Sequence, residues 1–165
     1  MNDMKELAER SLNDACASLL PSPREAAGAE SPLRFAAIIG FAGDHLRGTL
    51  ALTACEGSVA RVCADAGQDA AVAEDALGEL TNLLAGHVKR SFARFGQVVE
   101  ITPPIVVRGV SIEVCPQGAS KRVEVQHSDV TGRMVAWMDY DAADDLVLEE
   151  DADSESVTEG EGLFF

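Results

Sequence analysis

The stretch that decides the fold is residues 75–92, DALGELTNLLAGHVKRSF. At about 100° per residue on a helix, Ala73, Leu77, Leu80, Leu84 and Val88 line up on one side, an apolar stripe that needs a core to bury it. Asp75, Glu79, Asn82, Gly86 and Lys89 fall together on the opposite side. Glu79 and Asn82 are i and i+3, so their side chains are neighbours. The spacing predicts one long helix from about residue 70 to about residue 95, roughly 39 Å at 1.5 Å per residue. Asp69 is placed to cap its start and Gly96 to close it. Gly78 and Gly86 lie on or beside the polar face, and a glycine inside a helix costs about 1 kcal/mol relative to Ala. Two such residues call for a reason: close packing against a neighbouring element, or a face kept flat so that another protein can come close. The sequence leaves both open. A Glu and an Asn on an exposed helix face carry no chemistry by themselves.

Outward from this helix, residues 3–20 read as an amphipathic helix with Leu7, Ala8, Leu12, Ala15, Cys16 and Leu19 at helical spacing, ended by Pro21 and Pro23. Residues 21–31, rich in Pro, Ala, Gly and Ser, read as a loop. The runs 33–42 (LRFAAIIGFA) and 45–54 (HLRGTLALTA) are β-prone and flank Gly43-Asp44, a tight hairpin turn. Arg47, Thr49 and Thr53 alternate imperfectly in the second run, which fits a sheet with one wet face. Residues 56–66 predict a short helix stopped at Gly67. After the long helix, 98–102 (VVEIT) is extended, Pro103-Pro104 breaks it, and 105–109, 111–115 (SIEVC), 121–127 (KRVEVQH) and 131–138 (TGRMVAWM) read as strands. Turns at Gln117-Gly118 and Thr131-Gly132 separate the later ones. The expected fold is therefore α+β, an antiparallel β-sheet with helices packed on one face.

The length of 165 residues sets an expectation of one domain, and 47% apolar residues suffice for one core, which must be mostly aliphatic because aromatics are only 5%. The net charge is −15, but from Asp139 onward there are eleven acids and no Lys or Arg, so residues 1–138 carry only −4. This divides the chain into a domain over 1–140 and an acidic tail over 141–165. The tail has too little apolar area to offset its ordering entropy and is expected to be mobile. Its Leu163-Phe164-Phe165 is an apolar hook, read as a terminal remnant in preference to a docking motif. Neither part offers the clustered Lys/Arg that nucleic acid requires. Cys16, Cys55, Cys63 and Cys115 include no CxxC pair and no His at ligand spacing, so no metal site is expected and all four read as small core groups. No apolar run approaches the ~18–20 residues that span a bilayer, and MNDMKELAERS is charged rather than signal-like. The expected location is cytoplasmic, with reduced thiols. Gly40-x-x-Gly43 sits in a hairpin rather than between a strand and a helix, so it is no phosphate loop. His87 reads as a surface histidine without a role, and Trp137 and Met138 as core.

The segment DALGELTNLLAG (75–86) resembles the signature of the CheC/CheX/FliY chemotaxis phosphatases, D-x-x-G-E-L-x-N-x-x-x-G, at the start of their catalytic helix. IIGFAGDHLRGTLAL (38–52) looks like that family's first hairpin, and VEITPPIVVRG (99–109) looks like the segment after its helix. Three blocks in order cover roughly residues 38–109. The motif occurs here once and no internal repeat is found, so the chain resembles the CheX type, with its antiparallel sheet and its helices. The resemblance implies a substrate, a CheY-like receiver domain phosphorylated on aspartate. It implies Glu79 and Asn82 as the catalytic pair: Asn82 positions the attacking water and Glu79 docks to the receiver's active-site lysine. It further implies partner contacts from Asp75, Gly78, Gly86 and Lys89. No cofactor is expected on this chain, since the Mg²⁺ belongs to the receiver. Members of this type are often homodimers joined through their sheets. The alternatives within the resemblance are a receiver-binding module or adaptor without hydrolysis, and a FliY/FliN-like role in the flagellar switch. The second would want a further C-terminal domain where this chain has an acidic tail.

Overall fold

A computed structural model describes residues 3–20, 31–65, 67, 72–116, 120–129, 131–144 and 146–149. The elements in chain order are α1 (Met4–Leu19), β1 (Phe35–Ala42), β2 (Leu46–Ala54), α2 (Glu56–Asp65), α3 (Ala73–Ala93), β3 (Glu100–Ile101), β4 (Ile105–Arg108), β5 (Lys121–Asp129) and β6 (Gly132–Ala142). The six strands form one antiparallel sheet in the order β3-β1-β2-β6-β5, with β4 also pairing β1 beyond β3. The α+β expectation holds: the three helices pack on one face.

The hairpin forms where the turn residues predict it. The Gly43 N–H bonds the Leu46 carbonyl at 2.7 Å, and the register pairs Phe35 with Ala54 through Ala42 with Arg47. Alternation then sends Phe35, Ala37, Ile39, Phe41, Leu50, Leu52, Met134, Ala136 and Met138 to the helix-bearing face, where all are buried. Against them α3 lays Leu77, Leu80, Leu84, Val88 and Phe92, with the Phe92 and Phe41 rings edge to face at 6.0 Å. Helix α1 buries Leu7, Ala8, Leu12 and Cys16 beside α3, and a Ser11–Ser91 hydroxyl bond of 2.7 Å ties the two helices together. Asp3 caps α1 by accepting the Lys5 N–H.

Several expectations need correction. Helix α3 begins at Ala73, with Val72 at its N-cap and no side-chain cap bond; Asp69 lies outside the described residues. Glu74 and Asp75 in the first turn supply the favourable charge instead. Residues 111–115 are not a strand. Because β4 lies on one edge of the sheet and β5 on the other, the chain between them must cross four strand spacings, roughly 19 Å. It does so on the face away from the helices: the Ile112 N–H bonds the Leu33 carbonyl at 2.8 Å, and the Val114 carbonyl accepts from Arg122 at 2.7 Å. That face is therefore not simply wet. Ala36, Ala51, Thr53 and Val135, which point to it, are all buried.

Trp137 also sits on this second face rather than in the main core, while Met138 is fully buried in the core. The Arg122 guanidinium lies 4.8 Å over the Trp137 ring and grips Asp139 through two bonds of 2.6 Å. Cys115 is exposed, whereas Cys16, Cys55 and Cys63 are buried as expected. Strand β6 runs two residues past the expected domain boundary at 140. Beyond it Leu146 and Leu148 pack against the core, and Gln97 Nε2 donates to the Val147 carbonyl at 3.0 Å. The 21–30 part of the first loop, the Gln117-Gly118 turn and residues 150–165 lie outside the described residues.

Candidate functional site

Helix α3 holds the candidate site, and three features fix it in place. Its apolar side is clamped between the sheet and α1, as above. Within it, the Thr81 hydroxyl donates back to the Leu77 carbonyl at 2.7 Å, which satisfies a polar group that is fully buried. At its end Gly96 takes φ +74, and the Gln97 N–H reaches back to the Phe92 carbonyl at 3.0 Å, so the helix stops in a left-handed turn that only glycine enters without strain.

With the inner side fixed, the outer side follows. Glu79 is exposed and Asn82 is half-buried. Neither side chain has a hydrogen-bond or ion-pair partner among the described residues, so the Glu79 carboxylate and both ends of the Asn82 amide remain available. Side chains at i and i+3 stand about 5–6 Å apart at Cβ, so one partner surface can meet both. Asp75 and Gly86 share this outer side, as the spacing predicts. Lys89 is there too, but its ammonium reaches Glu100 at 3.6 Å and so ties the helix to β3.

The two helix glycines separate. Gly78 is buried, and a Cβ there would stand 3.4 Å from Val106 and 3.7 Å from Pro104. These are ordinary contact distances, so Gly78 lies where α3 packs against β4 and the Pro-Pro turn. At Gly86 a Cβ would meet only the Arg90 guanidinium at 3.6 Å, so no neighbouring element demands glycine there. Sequence reasoning passed over Leu83, which is 54% exposed beside Asn82. The signal was present, since Leu83 is an apolar residue out of phase with the core stripe.

The arrangement is a convex helix face. A convex face cannot enclose a small molecule; it can deliver a carboxylate and an amide into a concavity that the partner supplies. The cleft at the start of α3, about 160 Å³ between Phe35, Val59, Glu74 and Arg108, includes neither residue. There Arg108 pairs with Glu74 at 3.6 Å, and Arg34 with Glu56 at 3.0 Å. Among the described residues no three His, Cys, Asp or Glu side chains are grouped to hold a metal ion, and no helix is long and apolar enough to cross a membrane.

Among curated protein sequences none matches this chain. Several solved structures share its fold. The chemotaxis protein CheX of Vibrio vulnificus is 23% identical, with 80% of this chain and 92% of that one covered and a TM-score of 0.65. A CheC-like superfamily protein from Shewanella sp. PV-4 is 18% identical, covering 84% and 97%, with a TM-score of 0.66. A chain of the CheX–CheY–BeF₃–Mg²⁺ complex of Borrelia burgdorferi is 19% identical, covering 83% and 96%, with a TM-score of 0.61. The profile described as "Chemotaxis phosphatase CheX" matches residues 35–128, from the first strand through the long helix into β5. By that match over more than half of its length, the chain belongs to the CheX family of chemotaxis phosphatases.

Proposed function

We propose that this protein removes the phosphoryl group from the aspartate of a CheY-like receiver, with Asn82 orienting the attacking water and Glu79 docking the helix. The observation that carries this reading is the pair itself: two polar side chains one helical turn apart, opposite the buried stripe, with their hydrogen-bonding groups unspent among the described residues. The complex of a relative with CheY, BeF₃ and Mg²⁺ supports a receiver as partner, because beryllofluoride stands in for a phosphoryl group.

Hydrolysis of an acyl phosphate needs a water in line with the breaking P–O bond. The water oxygen bonds to phosphorus, the bond to the aspartate oxygen breaks, and inorganic phosphate leaves. Asn82 accepts a hydrogen bond from the water through its amide oxygen and donates through its NH₂. An amide does not abstract the proton, so its contribution is position, and a positioned water is worth several kcal/mol of barrier. The receiver would hold the Mg²⁺, which would supply charge neutralisation for the transferring group; none of this chain's residues named here is asked to bind it. Glu79 offers its carboxylate to the receiver's lysine, a pair that strengthens as the interface excludes water. Asp75, Gly86 and Lys89 border the contact; Gly78 serves it indirectly by seating α3 on β4.

The test follows phosphate release from a phosphorylated receiver with the wild-type protein, Asn82→Ala and Glu79→Ala. Slower release by both folded variants supports the assignment, and unchanged release by both sinks it. Receiver binding without any turnover by the wild type identifies the protein as an adaptor instead. Pairing of two copies through their sheets is a separate proposal that rests on the family resemblance; light scattering at twice the monomer mass supports it.

A further inference from the structure

Leu83 is 54% exposed although it sits in the middle of α3, while Leu77, Leu80 and Leu84 of the same helix are buried. It follows Asn82 directly and lies four residues after Glu79, which puts its Cβ about 5–6 Å from that of Glu79. Gly86 is three residues further on, also within one turn of Leu83 and four after Asn82. A Cβ at Gly86 would touch only the mobile end of Arg90 at 3.6 Å, an ordinary contact. Nothing among the described residues requires glycine there, yet the helix carries the destabilisation of a glycine in its interior. An exposed apolar projection and a position without a side chain thus stand side by side, both bordering Glu79 and Asn82.

Any surface that receives Glu79 and Asn82 must come within a side-chain length of both. We infer that Leu83 and Gly86 form the apolar anchor for the phosphorylated receiver: Leu83 packs on apolar side chains flanking the phosphoaspartate, and Gly86 lets the receiver's backbone approach the helix. This rests on the reading of Glu79 and Asn82 given above and adds to it the residues that set affinity rather than rate. Val98, Ile105, Val107 and Val110 are also exposed but lie off α3.

Receivers from the source organism are phosphorylated with acetyl phosphate, and the one whose dephosphorylation the full-length protein accelerates is used. Against it, Leu83→Ala and Gly86→Ala each raise KM about tenfold, the loss typical of truncating or obstructing an interface anchor, with kcat within about twofold. Asn82→Ala instead lowers kcat. Gly86→Ala also raises Tm, because Ala is the better helix former and its Cβ makes only an ordinary contact with Arg90; a gain in stability joined to a loss of affinity is a result that a structural glycine cannot give. Binding of the beryllofluoride-loaded receiver weakens by the same factor in both variants. Unchanged KM in both, with Asn82→Ala inactive, overturns the anchor and leaves the phosphatase reading standing. A fall in kcat at unchanged KM overturns it as well, and so does a lower Tm for Gly86→Ala. Should no receiver be dephosphorylated, the phosphatase reading fails and the anchor fails with it.

Discussion

Asn82 and Glu79 stand one turn apart on α3, and in the proposed reaction their chemistry divides the work: the amide holds a water and the carboxylate holds a partner. Glu79→Gln keeps the shape and removes the charge, so it is expected to raise KM several-fold and to flatten the salt dependence of KM, since the screened ion pair is what was lost. A series of KM values from low to high ionic strength checks this. At this scale the phase of α3 was legible in the sequence: Asp75, Glu79, Asn82 and Gly86 share its outer side because helical periodicity fixes which side chains share a face. What was not legible was the split between the glycines. Gly78 answers to Pro104 and Val106, residues more than twenty positions away, and no local pattern encodes that contact. Cys115 was misread as core for the same kind of reason: its apolar neighbours Ile112 and Val114 cover a sheet face while the thiol itself turns outward.

The elements show where local pattern suffices. The apolar stripe placed Leu77, Leu80, Leu84 and Val88 correctly, because burial of that stripe is what stabilises the helix. Segment 111–115 shows where local pattern misleads. It alternates like a strand, but pairing depends on which edge of the sheet the chain has reached, and here the chain had to cross from β4 to β5. The helix end gives a prediction. Gly96 at φ +74 is expected to tolerate Ala at a cost of about 1 kcal/mol, through strain in the left-handed turn. A lower urea midpoint at unchanged slope, the two multiplying to a loss of that size, is the check; an increase in stability contradicts it.

At the scale of the whole molecule, α3 is seated on a sheet whose helix-bearing face is buried and whose second face is covered in part by residues 109–116, with Arg47 and Thr49 left exposed on it. The second cover depends on Arg122, which joins Val114, Asp139 and Trp137. Its guanidinium is held charged first by the hydrogen bond to Asp139 and then by nearby acids, against the opposing effect of burial. Arg122→Ala leaves the buried Asp139 carboxylate without that partner and is expected to cost about 2–3 kcal/mol, read as a lower Tm. The molecule also carries an alkaline limit. Burial pushes the Cys16 thiol from 9.0 up to about 12, and burial, followed by Asp3 and Glu9, pushes Tyr140 up from 10.0. In both the folded state keeps the proton longer than the unfolded chain does, so the Cys16 contribution is fully present below about pH 9 and is lost as pH rises from there towards about 12, and the Tyr140 contribution is lost as pH rises above 10.0. Cys16→Ala is expected to flatten the fall of Tm between pH 8.5 and pH 10.5 in about that range; an equal slope in both proteins contradicts it. In the proposed function α3 presents one amide to one water, and a single-turnover experiment tests this most directly. A phosphorylated receiver is mixed with excess wild-type protein or excess Asn82→Ala, and the loss of receiver phosphate is timed. The account predicts at least about a 100-fold slower loss for Asn82→Ala, with binding of the beryllofluoride-loaded receiver unchanged. Equal rates for the two proteins would contradict it.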